Sequence, residues 1–403
     1  MAVAETVARW LAGPPASTIL RSRLRADGDL AYPTDPPIAH GSGPDPDRVL
    51  LVGSPVAGGA GVASHDLALC GWLARRLAAL TGRGADVEVR VADPFDLQAA
   101  AAILRTENLD RFDAVLVMVG VRHVLRMLPD SLWRREVQAF LDVATADVPP
   151  TLPILLAGTS QFALAMDVPA FAVRWAERIV IAHNEVTRRS CEAGGRVRYL
   201  PFAPERAGIR PGMDAAAIYD NWSTALAPVL AELLTAEHAG GRTVPTGFDD
   251  AARQRALDAL GVADVPTDPR IEQIVRMARA MLGLESALTV VDGDMLRVIF
   301  AASSRVRTLP RAQTFCNYQI AHPGVLIVPD VASHPLFGPL AHVEGREHVG
   351  FYAGYPLEAP GGERIGALAV YADHPREFTA EETSLLRDLA LRAQAVLWDQ
   401  GST

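Results

Sequence analysis

Lysine is absent from the chain, and all 38 residues of the Lys-plus-Arg total are arginines. That excludes a Schiff-base lysine, a phosphate-loop lysine and a lysine general base. Cysteine is scarce: Cys70, Cys191 and Cys316 lie far apart and form no CxxC pair. Such spacing argues against a zinc knuckle or a disulfide framework and predicts reduced thiols in a cytoplasmic setting. Long apolar runs are also missing. Nothing approaches the roughly 18 uncharged apolar residues of a membrane span. The opening MAVAETVARWLAGPP carries Glu5 and Arg9 inside its apolar run, unlike a signal peptide. Positive charge is in deficit, with a net charge of −9, so no general attraction to nucleic acid or anionic membranes is predicted.

What is present is the composition of a globular protein, 49% apolar and 21% charged over 403 residues, a length that predicts two domains. Residues 1–48 read as a short helix and a Pro/Gly-rich linker running from Tyr32 to Asp47. From 49 to 236, apolar strand-like runs (VLLVG, VEVRVA, AVLVMVG, PILLAG, VRYLPF) alternate with helical ones near 63–80, 96–105, 129–143, 168–192 and 214–234. The alternation predicts an α/β three-layer sandwich with a parallel sheet, flavodoxin-like in kind. Residues 237–247 read as a second linker. Over 248–399 two helices precede strands joined by hairpins, and a last helix opens on the capping box Thr379 to Glu382. This predicts an α+β domain with an antiparallel sheet.

The stretch Val49 to Gly61, VLLVGSPVAGGAG, ends an apolar strand in a glycine-rich turn and leads to a predicted helix N-terminus. With AVLVMVGVRHV and AGIRPGMDAAAIYDNWS, it resembles the SGNH (GDSL-type) hydrolases over about residues 48–235. That resemblance implies a Gly-Asp-Ser turn, an oxyanion glycine, a Gly-x-Asn-Asp block and an Asp-x-x-His-Pro block. Here Gly53, Gly120, Pro211, Tyr219 and Trp222 match, while Ser54 and Pro55 replace the aspartate and the nucleophile. Ala92-Asp93-Pro94 lacks the oxyanion glycine, Arg122 and His123 replace Asn-Asp, and Ala207 and Arg210 replace the final Asp and His. Proline has neither a hydroxyl nor an N–H to offer. The implied domain is a frame without catalytic residues. Two alternatives stay open: a relocated nucleophile, Ser54 with His123 or with His65, and an anion pocket of Arg122 and Arg210 at the helix N-terminus.

The phrases QRALDALGV, IEQIVRMARAMLGLESALTVVDGD, PRAQTFCNYQIAHPGVLIVPDVASHPLF and FYAGYPLEAPGGERIGALAVYADHPREF resemble a GAF domain over about 248–399. The resemblance implies a small-molecule sensor, with Cys316, Asn317, Asp330, Tyr352 and Tyr355 lining its ligand cavity or lid. Without lysine the cyclic-nucleotide signature of such domains is absent. Cys316 is followed by Asn317 and not by the histidine usual at a bilin attachment site. A sulfoxide reductase of this fold would need several cysteines. His322, His334, His342 and His348 leave haem ligation open, while their spacing matches no familiar zinc pattern, so no metal is predicted and the cofactor is left unassigned. The outer helices either pair between subunits of a homodimer or cover the sheet. The combined expectation is a cytoplasmic, bacterial-type regulatory protein that binds a small ligand and neither nucleic acid nor membrane. The rival is an enzyme, either an acyl hydrolase or transferase through Ser54, or one dependent on Cys316.

Overall fold

The computed structural model describes residues 18–19, 31–92, 96–119, 126, 128–159, 169–202, 214–239, 248–262, 268–302, 308–339 and 349–400. The chain divides into two compact units, Met1–Gly41 with Asp47–Arg242, and Ser42–Pro46 with Thr243–Thr403.

In the first unit the strands are β1 (Ile38–Gly41), β2 (Asp47–Gly53), β3 (Ala85–Val91), β4 (Ala114–Met118), β5 (Ile154–Ala157) and β6 (Val197–Leu200). The helices are α1 (Leu69–Thr81), α2 (Leu97–Thr106), α3 (Asp130–Ala146), α4 (Ala170–Gly194) and α5 (Ala215–Ala239). The sheet order is β1-β3-β2-β4-β5-β6. The strands β2 to β6 pair in parallel. Along β2, Val49 and Leu51 face one core and Leu50 and Val52 the other. All four are fully buried, each worth roughly 1.5–3 kcal/mol of transfer free energy. Helices α1 and α5 cover the first face, and α2, α3 and the C-terminal half of α4 cover the second. Strands apolar on both sides are what a doubly covered sheet requires.

Counted in chain order, the parallel strands run 2-1-3-4-5, so the winding reverses between β2 and β4. Open α/β sheets bind ligands at such a reversal, outside the carboxyl ends of the strands. In this chain that is the turn after Gly53.

Two features depart from the sequence reading. The run 32–47 reads as a linker, yet Ile38–Gly41 pairs antiparallel with β3. Four residues held between Pro37 and Ser42 are too few to show a period. Their strand exists because β3 offers an open edge, and because Gly41 leaves no side chain where a Cβ would lie 2.3 Å from the Ala74 carbonyl oxygen on α1. The helix read over 63–80 begins only at Leu69, after one 3-10 turn at His65–Leu67. Ser64 and Ala68 are both extended, which stops the helix reaching back to the glycines.

The second unit carries β7 (Glu285–Asp292), β8 (Met295–Ala301), β9 (Thr308–Pro310), β10 (Leu326–Val328), β11 (Phe351–Glu358) and β12 (Arg364–Ala372). They form an antiparallel sheet of order β10-β11-β12-β7-β8-β9. Helices α6 (Asp250–Leu260), α7 (Pro269–Leu282) and α9 (Ala380–Gln400) share a core with one face of this sheet. The opposite face packs against the five-residue α8 (Phe315–Gln319) and the loops around it. Asp249 and Asp268 cap α6 and α7, each accepting from backbone N–H groups of the first turn. At α9 the predicted capping box is present: the Glu382 N–H donates to Thr379 Oγ1 and the Thr379 N–H donates to Glu382 Oε2.

Candidate functional site

The turn after β2 is closed on itself. The N–H groups of Gly58, Gly59, Ala60 and Val62 donate to the carbonyls of Ser54, Val56, Pro55 and Gly59, and Gly61 donates to Ala31. Gly59 has φ +100°, and a Cβ there would lie 2.8 Å from Pro33 Cγ. Tyr219 of α5 donates its hydroxyl to the Ala60 carbonyl at 2.8 Å. Its ring meets Trp222 edge-on, and Trp222 in turn meets Phe202. The turn is thus a packed plug under α5, with those five N–H groups already spent. Together with the late start of α1, this removes the helix-terminus half of the expected anion pocket. Its arginines, Arg122 and Arg210, lie outside the described residues, as do His123, Gly120, Ala207 and Pro211.

Ser54 is 7% exposed, and its hydroxyl bonds to no described residue. His65 is buried nearby in sequence, but Asp35 holds it. The carboxylate accepts from the His65 N–H at 3.0 Å and lies 2.9 Å from the ring Nδ1. No hydrogen bond joins His65 to Ser54 among the described residues. Cys70, on α1, donates to the His65 carbonyl at 3.2 Å, and burial pushes its thiol up to about 12.

In the second unit, α8 lays Phe315, Cys316, Gln319 and Ile320 inward, the two-and-two spacing of one helix face. The N-cap Thr314 accepts from the Asn317 N–H and fixes the start of this short helix. Cys316 Sγ lies 3.2 Å from Thr289 Oγ1 on β7 and 3.9 Å from the Tyr352 hydroxyl on β11. Phe315 stacks on Tyr352 with centroids 4.2 Å apart, and Phe337 packs against both Phe315 and Tyr318. The face therefore carries a thiol, a hydroxyl and a phenol set among aromatic rings.

The structure brings Cys316 and Tyr352 together and places the other three expected residues elsewhere. Asn317 is exposed and accepts from Arg311 Nε at 2.7 Å. Asp330 accepts from the N–H groups of Ala332 and Ser333 and closes its own turn. Tyr355 packs in the helix-side core, because residues three apart on a strand point to opposite faces. His322 stacks on Tyr318, and His334 packs on Phe337, while His342 and His348 lie outside the described residues. Among the described residues no group of three or more His, Cys, Asp or Glu side chains could hold a metal ion. The sequence reading missed Thr289, Asp35 and Arg311. Thr289 carried one signal, a lone hydroxyl inside the apolar strand ALTVVD. Asp35 and Arg311 carried none, since their charged partners His65 and Asp250 lie 30 and 61 residues away.

Comparison with known proteins agrees on the second unit. The GAF domain family matches residues 266–397. A cyclic di-GMP phosphodiesterase of Pseudomonas aeruginosa is 34% identical over 151 residues, 37% of this chain. The chain spans 25% of the length of that curated relative. Among solved structures, the GAF domain of an Acinetobacter phosphoenolpyruvate-protein phosphotransferase is similar at TM-score 0.30 and 12% identity, covering 39% of this chain and 98% of that one. TesA is similar at TM-score 0.35 and 17% identity, covering 46% of this chain and 99% of its own. No helix among the described residues is long and apolar enough to cross a membrane. Over residues 266–397 the second unit of this chain is a GAF domain.

Proposed function

We propose that this chain is a cytoplasmic, bacterial-type regulatory protein whose GAF domain binds a small ligand on the α8 side of its sheet. The supporting observation is the asymmetry of that sheet. Three long helices seal one face. The other, bearing Thr289 and Tyr352, is covered by loops and by the five-residue helix that carries Cys316, the kind of cover that can open for a small molecule. Native mass spectrometry of the purified full chain tests this. The expected spectrum shows a mass above that of the chain, lost on denaturation. A bare chain mass in every charge state would overturn it. The same spectrum counts subunits and so tests homodimer formation.

The first unit, in this reading, is an SGNH-like frame kept as scaffold or binding module, with Pro55 where the family's nucleophile stands. The rival reading, an acyl hydrolase using Ser54, is favoured by one observation. A hydroxyl bonded to no described residue sits at the sheet's winding reversal, and a carboxylate-held imidazole follows it in the chain. Turnover of p-nitrophenyl acetate by the full chain decides between them. The expected rate equals that of buffer. A rate above buffer that Ser54→Ala abolishes would establish the hydrolase instead.

A further inference from the structure

Helix α6 is the first helix of the second unit, and its outer end is tied to α8 through a single side chain. Arg311 donates from Nη1 to Asp250 Oδ2 at 2.8 Å and from Nε to Asn317 Oδ1 at 2.7 Å. Asp250 stands at the start of α6, and Asn317 is the residue after Cys316. The other Asp250 oxygen accepts from Arg253 Nε at 2.7 Å, and Arg253, itself fully buried, donates to the Val291 carbonyl on β7. One turn along, Gln254 accepts from the Gly293 N–H and donates to Asp292 at 2.9 Å. The Arg311 backbone is fixed by its own N–H to the Asp294 carbonyl, at 2.8 Å. The start of α6, the tip of the β7–β8 hairpin and α8 therefore form one charged network. Only Arg311 reaches α8 from it among the described residues.

We infer that Arg311 is a latch that holds α8, and with it the inward-facing Cys316, closed against the sheet and couples the position of α6 to access at that face. The inference rests on the ligand-site reading above and adds its regulation. A guanidinium holds two partners in a fixed fork, so Asp250 and Asn317 cannot both be kept if α6 shifts along its axis. Losing Asp250 frees the guanidinium to leave Asn317, and α8 then keeps its inward residues and, at its C-terminal end, the Arg364 bonds to the Ile320 and Ala321 carbonyls. An α6 displaced by events elsewhere in the chain would open α8, and a ligand that moved α8 would release α6, because such coupling is reciprocal.

The test measures N-ethylmaleimide labelling of each cysteine in the full chain by peptide mass spectrometry. Relative to wild type, Asp250→Asn is expected to raise the Cys316 rate by roughly fivefold or more, the population change that follows loss of one charge-assisted hydrogen bond. Cys70 and Cys191, buried in the first unit, are expected to stay at their wild-type rates. Arg311→Lys, which keeps the charge but loses the fork, should fall between the two. A Cys316 rate unchanged in Asp250→Asn overturns the latch. So does an equal rise at all three cysteines, which would report general loosening. Hydrogen exchange gives a second measure, expected to quicken in Asp250→Asn over residues 315–320 and at the start of α6 and not elsewhere in the second unit. The assay uses no ligand, so its failure leaves the ligand reading standing, and a chain found empty by native mass spectrometry leaves the latch standing.

Discussion

The phenol of Tyr352 lies across Gly354, where a Cβ would stand 2.5 Å from its hydroxyl oxygen and 3.0 Å from the ring carbons Cε1 and Cζ. That crossing points the hydroxyl at Cys316. Gly354→Ala must push the ring aside, and overpacking of this kind costs about 1–3 kcal/mol. Urea unfolding should show the loss, and the Tyr352→Phe background should return part of it by removing the atom in closest conflict. If the two changes simply added, the crossing would not be the cause. The thiols can be ranked in the same way. Burial pushes Cys70 up to about 12 and Cys191 up to about 11. At pH 8 the thiolate fraction of Cys70 is then roughly one in ten thousand, and the thiolate is the reactive form. Iodoacetamide at pH 8 should leave both unmodified in the native protein and modify both in guanidinium. Reaction at Cys70 under native conditions would contradict its burial.

Between elements, the hydroxyl of Tyr219 does more than fill space. It is the bond by which α5 holds the glycine turn. Tyr219→Phe removes the donor to the Ala60 carbonyl and leaves that oxygen without it, a change worth roughly 1–3 kcal/mol for a buried group. The loss should appear in the first unit's denaturant midpoint. The strands and helices of both units, apart from β1 and β9, were legible from their apolar runs and periods. The Asp35 to His65 pair was not, because a carboxylate in a Pro-rich run has no period and its partner is set by where the chain returns. Nor was the late start of α1, since Gly59 and Gly61 mark the turn but not how far extended backbone continues beyond them. The latch between α6 and α8 shows a further limit, as Asp250, Arg253 and Arg311 look like ordinary solvated charges until the elements are packed. Its pH dependence has a definite sign. Burial raises the Asp250 carboxyl, but hydrogen bonds from Arg311 and Arg253 outweigh that and hold it below the usual carboxylate range. A folded value below the unfolded one gives stabilisation that is present above about pH 4 and lost as pH falls through the folded value. The wild-type advantage over Asp250→Asn in urea should therefore shrink between pH 6 and pH 3. A gap independent of pH would mean that the carboxylate charge contributes nothing.

At the scale of the whole molecule, each unit has core clusters of its own among the described residues. The two clusters flanking the first sheet draw only on residues of the first unit, and those of the second sheet draw only on residues from Phe248 to Trp398. A domain with its own closed core folds without its neighbour. Residues 248–403 expressed alone are thus expected to unfold in one cooperative transition, with the near-ultraviolet signal of packed Tyr352 and Trp398. Every residue of the α8 face and of the latch lies inside this span, so the fragment should also carry the same bound mass as the full chain. It should keep the same Cys316 labelling rate unless the first unit acts on α6. A fragment that folds but labels at Cys316 several-fold faster than the full chain would show that the first unit holds the latch shut, which would give that unit a regulatory role. A fragment with no cooperative transition would overturn the independence of the second core, and the site would then have to be understood as a property of both units together.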